Sequence, residues 1–169
     1  SPSRAFWNTE YIKFVAEGHR AALRGDIDNA GVALSFAKDA GEMACITKPT
    51  KEYHQLRYAV GALVMNERMS AVVSGIKERN YRSSRKAISE MEDMSKNESI
   101  PLPENFAVMK KTADEGFIVA YYENMEKDYA NKKMTVAEYW TREKNSCAEI
   151  LKSWQHITLP ARCEKYKKK

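Results

Sequence analysis

Residues 17–37 read EGHRAALRGDIDNAGVALSFA, and this stretch decides the fold. Ala22 and Leu23 end one helical pattern. Gly25 can leave a helix, Asp26 can cap the next one, and Ala30, Ala33, Leu34 and Ala37 then recur at three- and four-residue spacing. Two helices joined by a two-residue corner follow. Working back, Tyr11, Phe14 and Val15 extend the first helix towards a cap at Asn8 or Thr9, so it is expected over about 9–24.

The same grammar continues along the chain. The second helix is expected to reach about Cys45, where Thr47-Lys48-Pro49-Thr50 breaks it, because proline lacks an amide donor and disfavours helix before it. Leu56, Val60, Leu63, Val64, Val72, Val73 and Ile76 mark a third helix over about 51–79. Tyr81, Ala87, Ile88, Met91 and Met94 restart the stripe on a fourth, and 95–103, with Pro101 and Pro103, reads as a loop. Phe106, Met109, Ala113, Phe117, Ala120 and Tyr121 predict a fifth helix to about Tyr129. Thr135-Val136-Ala137-Glu138 is a capping-box pattern opening a sixth, with Val136, Trp140, Cys147, Ile150, Leu151 and Trp154 on its inner face.

The expected fold class is therefore all-α, with five to seven helices packed as antiparallel hairpins in a bundle or a short tetratricopeptide-like stack. One domain is expected over 1–160, with 161–169 as a basic, solvated tail. Only seven glycines and five prolines in 169 residues leave little for the tight turns of a β-sandwich. No run of about 18 apolar residues predicts a transmembrane helix. Net charge is +5, and it is uneven: residues 133–169 hold nine Lys and Arg against four Asp and Glu, so the rest of the chain is balanced. An acidic partner is the corresponding expectation.

Residues 17–37 resemble one tetratricopeptide hairpin, with Gly18 and Ala21 at that family's small positions, Gly25-Asp26 at its turn, and Ala30, Leu34 and Ala37 on its second helix. That resemblance implies stacked hairpins that bind other proteins. A fainter similarity, carried by Ala21 to Ala30 and Ser99-Ile100-Pro101-Leu102-Pro103, is to the YfdX family of bacterial secreted or periplasmic helical proteins.

Catalytic signatures are absent from the sequence. His19, His54 and His156 stand in neither HExxH nor ExxH spacing, and no Walker loop, GxGxxG or GxSxG occurs. Nothing calls for a metal or cofactor. Cys147 and His156, nine residues apart, would lie about two and a half turns apart on one helix. Cys147 and Cys163 are a candidate disulfide that would staple the segment after Pro160 to the last helix. Inert buried thiols are the competing reading. The chain begins at Ser1 without Met or a visible leader. Removal of a signal or transit peptide, with a periplasmic, secreted or organellar location, is one expectation and a cytosolic protein the other.

Candidate partner-binding residues fall into two groups. Arg79, Arg82, Arg85 and Lys86 crowd a helix-turn-helix corner where guanidinium forks suit phosphate or carboxylate, although they also suit an ordinary solvated face. Neighbouring helical residues point about 100° apart, so one of Tyr121 and Tyr122, and one of Tyr139 and Trp140, should be exposed; Tyr122 and Trp140 are the candidate anchors. The function expected is a non-catalytic protein-interaction module or an accessory subunit of a larger assembly. The alternatives are an RNA- or anionic-lipid-associated helical protein using the basic corner, and a ligand carrier or enzyme with a pocket between helices.

Overall fold

The computed structural model describes residues 2–168, and these are all-α: α1 (Arg4–Leu23), α2 (Ile27–Met43), α3 (Lys51–Lys77), α4 (Tyr81–Glu98), α5 (Phe106–Ala130), α6 (Val136–Ser153) and a 3-10 helix (Ala161–Tyr166). Paired residues run in opposite directions within each hairpin. Phe14 meets Phe36 while Tyr11 meets Gly41; Val72 meets Ser84 while Arg68 meets Glu90; Tyr122 meets Ser146 while Tyr129 meets Tyr139. Each pair is therefore antiparallel.

The helix starts follow local chemistry. Asp26 Oδ1 accepts from Asn29 N–H to open α2, and Thr135 and Glu138 form the reciprocal capping box that opens α6. At α1 the cap is Ser3, whose Oγ accepts from Phe6 N–H, rather than Asn8 or Thr9. Half-buried Trp7 extends the stripe of Tyr11, Phe14 and Val15 one turn earlier than the spacing suggested. Likewise α4 does not stop near Ser95 but runs to Glu98, with Met94 and Ser95 half-buried.

Helix ends use a device hidden from the sequence. The residue leaving each of the first five helices is left-handed: Gly25, Cys45, Arg79, Ser99 and Lys132, with φ between 56° and 72°. Around Gly25 the amide of Asp26 reaches Ala21 C=O and that of Gly25 reaches Ala22 C=O, a Schellman closure repeated at Cys45, Arg79 and Lys132. Four of these five positions carry a side chain, a conformation that costs on the order of 1–2 kcal/mol. Scarce glycine does not limit the turns.

The described chain divides into two compact units, residues 2–70 with 89–103, and 71–88 with 104–168. In the first, Tyr11, Val15, Ala37, Ala40 and Leu56 form the core, flanked by Trp7, Phe14 and Tyr53. Gly18 is required there by close approach, since a Cβ would sit 2.5 Å from a methyl of buried Leu56. Tyr11 Oη, 3.2 Å from Thr50 Oγ1 and accepting from Thr50 N–H, ties α1 to the start of α3.

In the second unit Ile118, Tyr122, Met125, Met134, Cys147 and Ile150 form the core together with Ile157 and Cys163. The segment after Pro160 is thus no solvated tail. Cys163 is fully buried and Tyr166 half-buried, because partners on α5 and α6 meet its charges; only Lys167 and Lys168 trail in solvent beyond it. Ser1 and Lys169 lie outside the described residues.

Candidate functional site

The polar chemistry of the second unit gathers at two buried carboxylates. On α6 the inward stripe is Tyr139, Glu143, Cys147 and Ile150, at spacings of four, four and three, which places Glu143 on the core side. Glu143 is 3% exposed, and Lys165 Nζ lies 2.7 Å from Oε1, Tyr166 Oη donates to the same oxygen at 3.0 Å, and Arg162 stands 3.7 Å from Oε2. Burial pushes this carboxyl up, but hydrogen bonds from Lys165 and Tyr166 and the charges of Lys165 and Arg162 outweigh it and hold it below its ordinary value. Arg162 also pairs with Glu126 at 2.6 Å and lies over the Tyr122 ring, 4.1 Å from its centre.

Beneath this network the Sγ atoms of Cys147 and Cys163 are bonded in a disulfide, with Cα atoms 5.2 Å apart. The phenol of Tyr122 is 2.7 Å from Ser146 Oγ and faces both sulfurs, at 3.4 and 3.6 Å. Burial raises its pKa, partly offset by the Ser146 hydrogen bond, so it stays a neutral phenol.

The second carboxylate is Asp114 on α5. One oxygen accepts from Arg85 Nε at 3.0 Å and the other lies 2.6 Å from His156 Nε2, while the Arg85 guanidinium covers Phe117 and Trp154 at 4.2 and 4.6 Å from the ring centres. Arg85 is thereby committed to its own chain. His156 is held by Asp114, and Cys147 is held in the disulfide. No group of three or more His, Cys, Asp and Glu gathers as a metal site among the described residues.

The residues singled out by sequence therefore part company. Arg79, Arg82 and Lys86 stay exposed with no carboxylate against them among the described residues, whereas Arg85 turns inward. Tyr122 is 5% exposed and belongs to the core, which corrects its assignment as an anchor; its neighbour Tyr121 is the exposed one. Trp140 is 50% exposed, one turn from exposed Val136, so neither lies on the inner face of α6. Lys165 Nζ sits 4.7 Å from the centre of the Trp140 ring. The basic tail is partly spent internally, through Lys165 on Glu143 and Lys167 on Glu164.

Asp114, Glu143 and His156 were not legible as a set. Glu143 carried one signal, a charged residue on a four-residue apolar stripe with Tyr139 and Cys147. Asp114 carried none, because the inner face of α5 takes in Asp114, Ile118, Tyr122 and Met125 beside the Phe106, Ala113 and Phe117 that the spacing predicted. No family model, curated protein or solved structure matches this chain. No helix among the described residues is long and apolar enough to cross a membrane.

Proposed function

We propose that this protein is a non-catalytic helical interaction module that works as an accessory subunit of a larger assembly, with Trp140 as its anchor. The observation that carries this reading is the half-exposed Trp140 indole on α6, covered on one face by Lys165 and flanked by exposed Val136. An aromatic ring whose rotamer is held by a neighbouring cation offers large apolar area at little entropic cost, as interface anchors do. Arg79, Arg82 and Lys86 give an acidic partner its electrostatic steering. The test is affinity capture from the native source with the wild-type chain, Trp140→Ala, and the triple variant Arg79→Ala/Arg82→Ala/Lys86→Ala. A defined partner lost with Trp140→Ala, while circular dichroism is unchanged, is the expected result. Identical recoveries from all three proteins would sink the reading.

A second reading, association with RNA or anionic lipid, is favoured by one observation: those three cations have no ion-pair partner among the described residues while Arg85 does. Neutralising three phosphates predicts a log–log salt slope of about −2 to −3. A nucleic-acid or liposome shift insensitive to salt and to the triple variant removes it.

A further inference from the structure

A groove of about 520 Å³ runs along α5 in the second unit, and its far wall is the segment leading to the disulfide. Two pins hold that wall: Thr158 N–H donates to Glu115 at one end and Arg162 pairs with Glu126 at the other. Eleven helical residues separate Glu115 from Glu126, about 16 Å, and the wall between the pins is open chain over 158–160 before the 3-10 helix begins at Ala161. Pro160, at φ −58° and ψ 139°, is extended. Between the pins, Leu159 N–H and the carbonyls of Thr158 and Leu159 make no hydrogen bond to other described residues.

The floor is apolar, from Ile118, Tyr122 and Ile157, and exposed Val119 stands on the rim. Its charge is opposite to that of the chain. Glu115, Glu123 and Glu126 line it with Arg162, Lys111 stands 3.8 Å from Glu115, and Glu123 is exposed with no ion pair or hydrogen bond to another described residue. In a protein of net charge +5 this is a local acidic trough over an apolar floor.

We infer that the groove docks an extended basic peptide segment of a partner protein, of the pattern basic-x-aliphatic-x-basic. Glu115 and Glu123 are eight helical residues apart, about 12 Å, and residues i and i+4 of an extended strand point the same way about 13 Å apart. Two Lys or Arg side chains then reach the two carboxylates while the residue between them covers Val119 and Tyr122. The free peptide groups of 158–159 offer the backbone pairing that extended peptides use. This surface is independent of the Trp140 reading.

The test uses the full-length oxidised chain and a fluorescein-labelled peptide, GKSLSKG, with GESLSEG and GKSGSKG as controls. Saturable binding of GKSLSKG alone is expected, weakened about tenfold by Glu123→Lys, and likewise by Val119→Arg; both positions are exposed, so folding is retained. Arg79→Ala/Arg82→Ala/Lys86→Ala should leave it unchanged. The inference is overturned by no binding at millimolar peptide, by equal binding of either control, or by an affinity untouched by both groove variants.

Discussion

The two units solve the same problem, holding helical hairpins together, with different materials. In the first unit α1 and α2 meet through small residues: Ala21, Ala30, Ala33, Ala37, Ala40, Gly18 and Gly41 are all buried, and the corner at Gly25-Asp26 is closed by local hydrogen bonds. The second unit is cross-linked. A disulfide, the Glu143 network and the pair of Asp114 with His156 tie α5 and α6 to residues that follow α6 in the chain. Small-residue packing is read locally, because dispersion between close helices needs only the right volume at the right spacing. Cross-links join residues 16 to 42 positions apart, and their worth depends on what the chain brings together.

The sharpest way to break this comparison is to remove the disulfide. Cys147→Ala/Cys163→Ala frees a loop of separation 16 and should destabilise the protein by about 3 kcal/mol on chain-entropy grounds. Amide exchange should rise in α6 and 161–166 while α1 and α2 stay protected. Equal loss of protection in α1 would show that the units do not differ as described.

Overpacking makes the reciprocal test. Ala37 has no exposure, so Ala37→Leu should cost about 2 kcal/mol, with exchange rising first in α1 and α2. A neutral result would mean that the first core is looser than its alanines imply.

Charge gives the smallest effect and a pH signature. Lys165 and Arg162 keep some contact with water, so Glu143→Gln should cost about 1.5 kcal/mol at neutral pH, less than a fully enclosed pair. Because the folded-state pKa of Glu143 is depressed, its contribution is full above the ordinary value of 4.5 and disappears as pH falls through the lowered value. Urea titrations of the wild type and the variant should therefore converge on acidification. A gap that persists below the lowered pKa would assign the loss to packing instead of charge.

Much of the fold was legible because it is written in local chemistry. Asp26 and Thr135 cap whatever helix follows them, Pro49 keeps helix out of the link before α3, and a two-residue Gly-Asp corner returns the chain on itself. The candidate site was legible only in part. Arg82 and Arg85 are the same residue type three positions apart, and only the placement of Asp114 on another helix draws one inward and leaves the other in water. Tyr121 and Tyr122 could be told apart as one in and one out, but not which, since a rotation of about 100° exchanges them. The sequence also placed an anchor at Tyr122 that the core has absorbed.

What this sequence determined by itself is the order of the α-helices and the caps that open α2 and α6, since each depends on interactions within four or five residues. What only the tertiary structure decided is where the charges end. Ala161–Tyr166 reads as a basic, solvated end, yet it folds as a 3-10 helix against α5 and α6 because Cys147, Glu143 and Glu126 are already there to receive Cys163, Lys165 and Arg162. A charge is costly to bury alone and cheap to bury beside its partner, and that partner lies beyond the reach of any local pattern.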